Sequence, residues 1–185
     1  MKTHEDALLL LNRYIKKENM IRHSLASEAV LKALAIKLGK DANVWAIAGL
    51  LHDLDVEITE SDPTIHGLKT AEILKQEGYD PEMVDAIRMH NEEATGLERT
   101  SVFQHALAAG ETITGLIFAT TYVYPDRKIA SVKTKSVVKR MTEKAFAASV
   151  KREHILECEL IGIPLPEFAE LAINAMREIA DELGL

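Results

Sequence analysis

Ala46-Ile47-Ala48-Gly49-Leu50-Leu51-His52-Asp53-Leu54-Asp55 reads as an apolar helix whose last turn ends in two adjacent side chains able to bind a metal. Ala48 stands four residues before His52 and Gly49 four before Asp53, so each candidate ligand follows a small residue on its own helical face. Small residues let other helices come close. Neighbours on a helix diverge by about 100°, so His52 and Asp53 share one metal only if the helix end points into a cavity.

Outward from this stretch, helical periodicity runs through nearly the whole chain, and no segment alternates as a strand would. Helices are expected at about 3–17, 20–38 and 43–52, the second stopped by Gly39. Ser61-Asp62-Pro63 is the expected cap of a fourth helix reaching Glu77, with Pro63 placed where its missing N–H matters least. Asp80-Pro81 opens a fifth, ending near Asn91, and Thr100-Ser101 caps a long apolar sixth running to about Thr120. After the break at Tyr124-Pro125-Asp126, shorter helices are expected around 136–147 and 151–161. A last amphipathic helix runs from Pro164 and Pro166 to Asp181. The pattern predicts an all-α, single-domain helical bundle over 1–185, with no repeat, low-complexity tract or dividing linker.

At 185 residues, a chain buries about 70% of the surface its unfolded form exposes, enough for a real core. Apolar residues make up 47% and charged residues 28%, an ordinary soluble composition. The opening Met1-Lys2-Thr3-His4-Glu5-Asp6 lacks a signal-peptide pattern, and the longest nearly uncharged run, Ala106 to Pro125, carries Glu111 and four threonines. The single Cys158 allows no internal disulfide, so a cytoplasmic protein without a membrane span is expected. Net charge is −7, yet nine of the 22 basic residues and only one acid, Glu143, lie between Arg127 and Arg152, giving +8 there and −15 elsewhere. An acidic body without a recognised motif argues against a nucleic-acid-binding domain, while the basic segment leaves room for a local phosphate site.

His23 shares a helical face with Ala26, Ser27, Val30 and Leu34 and so turns towards the core. His66 is expected in the first half of the fourth helix, and His90 closes the fifth. Glu111 is the only charge between Ala106 and Pro125, and an unpaired buried carboxylate costs several kcal/mol, so it calls for a cation or hydrogen-bond donors. Gly110 and Gly115 flank it at about 1 kcal/mol of helix stability each, which suggests a close approach to the backbone. His4, His105 and His154 are set aside. Imidazole and carboxylate without thiolate suit Mn, Fe, Mg, Zn or Ni rather than a structural zinc site.

The order His23, then His52-Asp53, then a distant carboxylate at Glu111 resembles the HD superfamily of metal-dependent phosphohydrolases. Within it, Gly49 to Asp55, His66-Gly67-Leu68, Ala71-Glu72-Ile73-Leu74, Thr114-Gly115-Leu116-Ile117 and Lys135-Ser136-Val137-Val138-Lys139 resemble the small stand-alone HD or HDIG-domain proteins. The likeness covers roughly residues 20 to 175. It implies an HD-type bundle with its core at about 20–120 and C-terminal helices at about 127–182 packing on it. It also implies one metal held by His23, His52, Asp53 and Glu111, and a second site completed by His66 and His90. Glu111 stands where the family has Asp, and the Gly-Tyr-Pro signature of cyclic-di-guanylate phosphodiesterases is absent.

The activity this resemblance implies is hydrolysis of a phosphomonoester or phosphodiester, on a nucleotide or other small phosphate ester, through a metal-activated water. Asp53 with His52 would carry the catalysis, Asp53 bridging metals or orienting water. Lys69, on the face of His66, and Lys135 and Arg140, in the basic segment, are candidates for the substrate phosphate; Asp55 is a candidate to orient an imidazole. One or two divalent ions and a small phosphorylated substrate are the expected partners, and a homo-oligomer is compatible with the apolar last helix. Two alternatives accompany this reading: a non-catalytic metal-binding or regulatory HD module, motivated by Glu111, and a di-iron HD-type oxygenase.

Overall fold

A computed structural model describes residues 2–185. Helix α1 (His4–Tyr14) starts at Thr3, whose hydroxyl accepts from the Asp6 N–H while the Asp6 carboxylate accepts from the Thr3 N–H. Helix α2 (Glu18–Leu38) ends at Gly39. Helix α3 (Ala42–Leu51) is capped by Asp41, which accepts from the N–H groups of Asn43 and Val44. Every residue from Trp45 to Leu51 is buried, so α3 is apolar all round because it lies in the centre. A Cβ at Gly49 would stand 2.5 Å from the Ser27 carbonyl oxygen, so only glycine lets α3 lie this close to α2.

Short helices follow: α4 (Leu68–Gln76), α5 (Pro81–Arg88) and α6 (Glu92–Thr95). Helix α7 (Val102–Tyr122), capped by a Ser101–Gln104 box, packs its Gly110 against Leu31 of α2. Then come α8 (Thr134–Arg140), α9 (Arg152–Leu156), α10 (Leu165–Glu178) and α11 (Ala180–Leu183). Helices α2, α3 and α7 form the middle; α10 covers α2 with Phe168, Ala172 and Ala175. One hydrophobic cluster joins residues from Ala7 to Leu183. The protein is all-helical, with no strand among the described residues, and none of those helices is long and apolar enough to cross a membrane.

Several expected boundaries move for local reasons. The fourth helix begins at Leu68 rather than near Ser61, because Asp62 spends its carboxylate on the N–H and hydroxyl of Thr64 and residues 52–67 form successive turns. His66 therefore precedes α4 instead of lying within it. Residue 90 lies just past α5, and the unexpected α6 is nucleated by Asn91 capping Glu93. The expected helix at 136–147 stops at Arg140, since Arg152 donates to the carbonyls of Arg140, Glu143, Phe146, Ala147 and Val150 and holds 141–150 as an irregular loop.

Candidate metal centre

The end of α3 is the floor of the site. His52, fully buried, donates from Nδ1 to the Gly49 carbonyl at 2.8 Å. His90 donates from Nδ1 to the Ile87 carbonyl at 2.6 Å. His23 uses its Nδ1 on Thr114 Oγ at 3.0 Å; that hydroxyl gives its own proton to the Glu111 carbonyl at 2.7 Å and so must accept from the imidazole. The last Nδ1, on His66, donates to Asp55 Oδ1 at 2.7 Å, while Asp55 Oδ2 accepts from the N–H groups of Gly67 and Thr70 at 2.8 and 3.0 Å. Gly67 has φ +89°, and a Cβ there would stand 2.9 Å from His90 Cε1, so the turn that brings His66 to His90 needs glycine twice over.

With every Nδ1 proton committed, four Nε2 atoms turn inward. They meet in pairs: His23 to His52 at 3.1 Å and His66 to His90 at 3.2 Å. Asp53 lies between the pairs, with Oδ1 at 3.3 Å from His52, 3.1 Å from His66 and 3.5 Å from His90, and Oδ2 at 3.6 Å from His23. Two sets thus have the spacing of a metal site, His23–His52–Asp53 and Asp53–His66–His90, and one carboxylate belongs to both.

Electrostatics favour a cation here. Burial pushes the His52 imidazole down to about 3, so it is a neutral ligand at neutral pH. Burial also raises the Asp53 carboxyl, but the surrounding imidazoles of His52, His66, His90 and His23 outweigh it and hold the group well below its ordinary value. For His66, burial opposes charge, yet Asp53 and Asp55 lift it to about 10. Positive charge is stabilised between these carboxylates, whether as the second proton of His66 or as a metal ion in its place, and the Nε2 lone pairs of His23 and His52, 3.1 Å apart, repel unless a cation lies between them. The residues fit divalent metal ions, with no preference visible among the metals considered above.

Glu111 carries its Oε2 to 3.8 Å from His23 Nε2 and accepts from the Thr112 hydroxyl, at the edge of the first set rather than inside either. The three predicted phosphate-binding side chains are not brought to the site. Lys69 is exposed and paired with Glu72 at 2.6 Å, because the late start of α4 turns it outward; Lys135 is exposed on α8, and Arg140 stacks on Phe146.

A cavity of about 260 Å³ opens over the floor, lined by Asp53, His66, His90 and Glu111 on one side and by Ser149, Val150, Lys151 and His154 on the other. His154 donates to Glu92 at 2.8 Å, and Arg99, itself buried, bonds Glu92, Glu157 and the carbonyls of Met89 and His90. Spacing alone did not single out Lys151 or His154. Lys151 stands near the end of the one basic segment as the residue that opens α9, and His154 lies within that short helix.

The HD domain family model matches residues 20–120, which include all the side chains of the floor. Among curated relatives, the chain is 27% identical over 188 residues to a protein named Ribonuclease Y from Rubrobacter xylanophilus, covering 97% of this chain and 36% of that relative. It is 32% identical over 94 residues, 49% of this chain and 18% of the relative, to one of the same name from Nitratidesulfovibrio vulgaris. The chain thus spans about a third or less of the length of these relatives. No solved structure matches it.

Proposed function

The chain belongs to the HD domain family, whose superfamily is that of metal-dependent phosphohydrolases, and we propose that it hydrolyses a small phosphate ester at two metal ions held by His23, His52, Asp53, His66 and His90. The observation that carries this is the single Asp53 carboxylate shared by two histidine pairs. Divalent metals bound there supply a water of lowered pKa and neutralise phosphoryl charge. His23, His52, His66 and His90 each present Nε2, fixed in tautomer by the acceptor on Nδ1. Asp55 holds His66, and Glu111 flanks the His23 side, near enough to join its ligands. Buried apolar side chains of α3 keep these groups from shifting on binding.

A cavity of about 260 Å³ suits a phosphoryl group with a small or protruding leaving group. A second reading, with an RNA end as substrate, is favoured by the relatives' name and by the exposed lysines of the +8 segment.

Elemental analysis followed by assay of metal-loaded protein on phosphomonoesters, phosphodiesters and a short single-stranded RNA tests both. Release of phosphate from a monoester, or of an alcohol and a monoester from a diester or RNA, abolished by Asp53→Ala, is expected. Two bound metals with no turnover on any substrate would instead mark a binding module, and oxygen consumption by the iron-loaded protein would mark an oxygenase.

A further inference from the structure

The wall facing the floor has a chemistry of its own. Ser149, Lys151 and His154 contribute a hydroxyl, an ammonium and an imidazole, and among the described residues the carboxylates lining the cavity, Asp53 and Glu111, are on the opposite side. The His154 side chain is 7% exposed and donates from Nε2 to Glu92, the same carboxylate that holds Lys151, so it steadies the ammonium rather than offering a donor to the cavity. The Lys151 ammonium is tethered from outside the cavity by Glu93 at 2.7 Å and Glu92 at 3.4 Å, which fixes its position without filling the space in front of it.

The segment is built to stay in place. The Arg152 guanidinium gathers five carbonyls of residues 140–150, and Arg99 joins Glu92 to Glu157, which also bonds His105 on α7. An ammonium held in place at the wall of a cavity is a place for an anion.

Resting on the phosphohydrolase reading, we propose that Lys151 binds the non-bridging oxygens of the substrate's phosphoryl group from the side opposite the metals, and that this wall selects phosphomonoesters over phosphodiesters. A monoester dianion offers one more charged oxygen to Lys151 than a diester monoanion does. Lys151 is assigned no proton transfer.

Calorimetric binding of inorganic phosphate to the manganese-loaded full chain tests the wall apart from turnover. Lys151→Met is expected to weaken phosphate about tenfold, the equivalent of one charge-assisted hydrogen bond, with metal content unchanged. Lys151→Arg, which keeps the charge, should stay within about threefold of wild type. In assays, Lys151→Met should raise KM for p-nitrophenyl phosphate with kcat nearly unchanged, and affect bis-p-nitrophenyl phosphate less. Loss of phosphate binding in Lys151→Met without turnover of any ester by wild type would support the wall while overturning the hydrolase reading. Unchanged phosphate affinity in Lys151→Met with metals bound, or an equal loss in Lys151→Arg and Lys151→Met, overturns the wall.

Discussion

Asp55 accepts the Nδ1 proton of His66 at 2.7 Å and, with its other oxygen, the N–H groups of Gly67 and Thr70. One fully buried carboxylate therefore aims an imidazole and ties the end of α3 to the start of α4. Such partners of metal-binding histidines typically contribute 10- to 100-fold in affinity, by about that margin in other metal sites. Asp55→Asn keeps an acceptor for His66 but turns an amide NH₂ towards both backbone donors, Gly67 and Thr70. The expected result is a loss of about 10- to 100-fold in affinity at the His66–His90 set, with the His23–His52 set still occupied, read by calorimetric metal titration. Two unchanged binding steps would remove Asp55 from any role in the centre.

Close contact of α2 with α3 rests on Gly49. Adding one methyl places carbon 2.5 Å from the Ser27 carbonyl oxygen, and backbone cannot give way as a side chain can. Gly49→Ala is expected to destabilise the protein by about 1–3 kcal/mol, or about 2–4 °C in Tm per kcal/mol for a chain of this size. Glycine is the weaker helix former, so a Tm equal to or above that of wild type would show that the helices can separate freely.

The same residue shows what the sequence made legible. Gly49 and Gly110 stand in helix interiors against propensity, and each proves to be a point of helix contact. His23, His52, Asp53, His66 and His90 were legible because each sits at a helix end or on an apolar face, where a polar side chain needs a reason. Lys69 was misplaced because an Asp-Pro pair is both a helix cap and a turn, and the choice went to the Thr64 turn through contacts of only two residues' reach. The wall at Lys151 and His154 was hidden for the opposite reason: its shape depends on Arg152 and Arg99 reaching carbonyls and carboxylates up to 58 residues away, which no local period reports.

Acid sensitivity is expected at the strut behind that wall. Burial raises the Glu157 carboxyl, but Arg99 and His105 outweigh it and hold it below its ordinary 4.5. A carboxyl whose folded pKa is lowered contributes stability above the unfolded pKa and loses it as pH falls through the folded one. Wild type should therefore lose Tm more steeply than Glu157→Gln as pH falls through and below the ordinary carboxyl value, the downward shift placing the loss on the acid side of it. Parallel Tm curves for the two proteins would show that the Arg99 contact carries no proton linkage.

Glu111 decides between an enzyme and a module that only binds metal. The carboxylate is one methylene longer than the Asp of the family pattern, yet it already stands 3.8 Å from His23 Nε2, with the Thr112 hydroxyl on its other oxygen. Helix α7 cannot move inward to shorten that reach, because Gly110 already meets Leu31 of α2, where a Cβ would come within 2.5 Å. In this frame a shorter side chain withdraws the charge rather than restoring a ligand. Glu111→Asp is thus expected to leave hydrolysis level or lower it. Glu111→Ala should reduce kcat/KM by about 100-fold, the effect of about 2.7 kcal/mol of transition-state stabilisation, while the His66–His90 set keeps its metal. Steady-state kinetics with metal analysis on both variants checks this. A gain of tenfold or more in Glu111→Asp would mean that the longer side chain holds the native site below its capacity, and the centre would then be a decayed one.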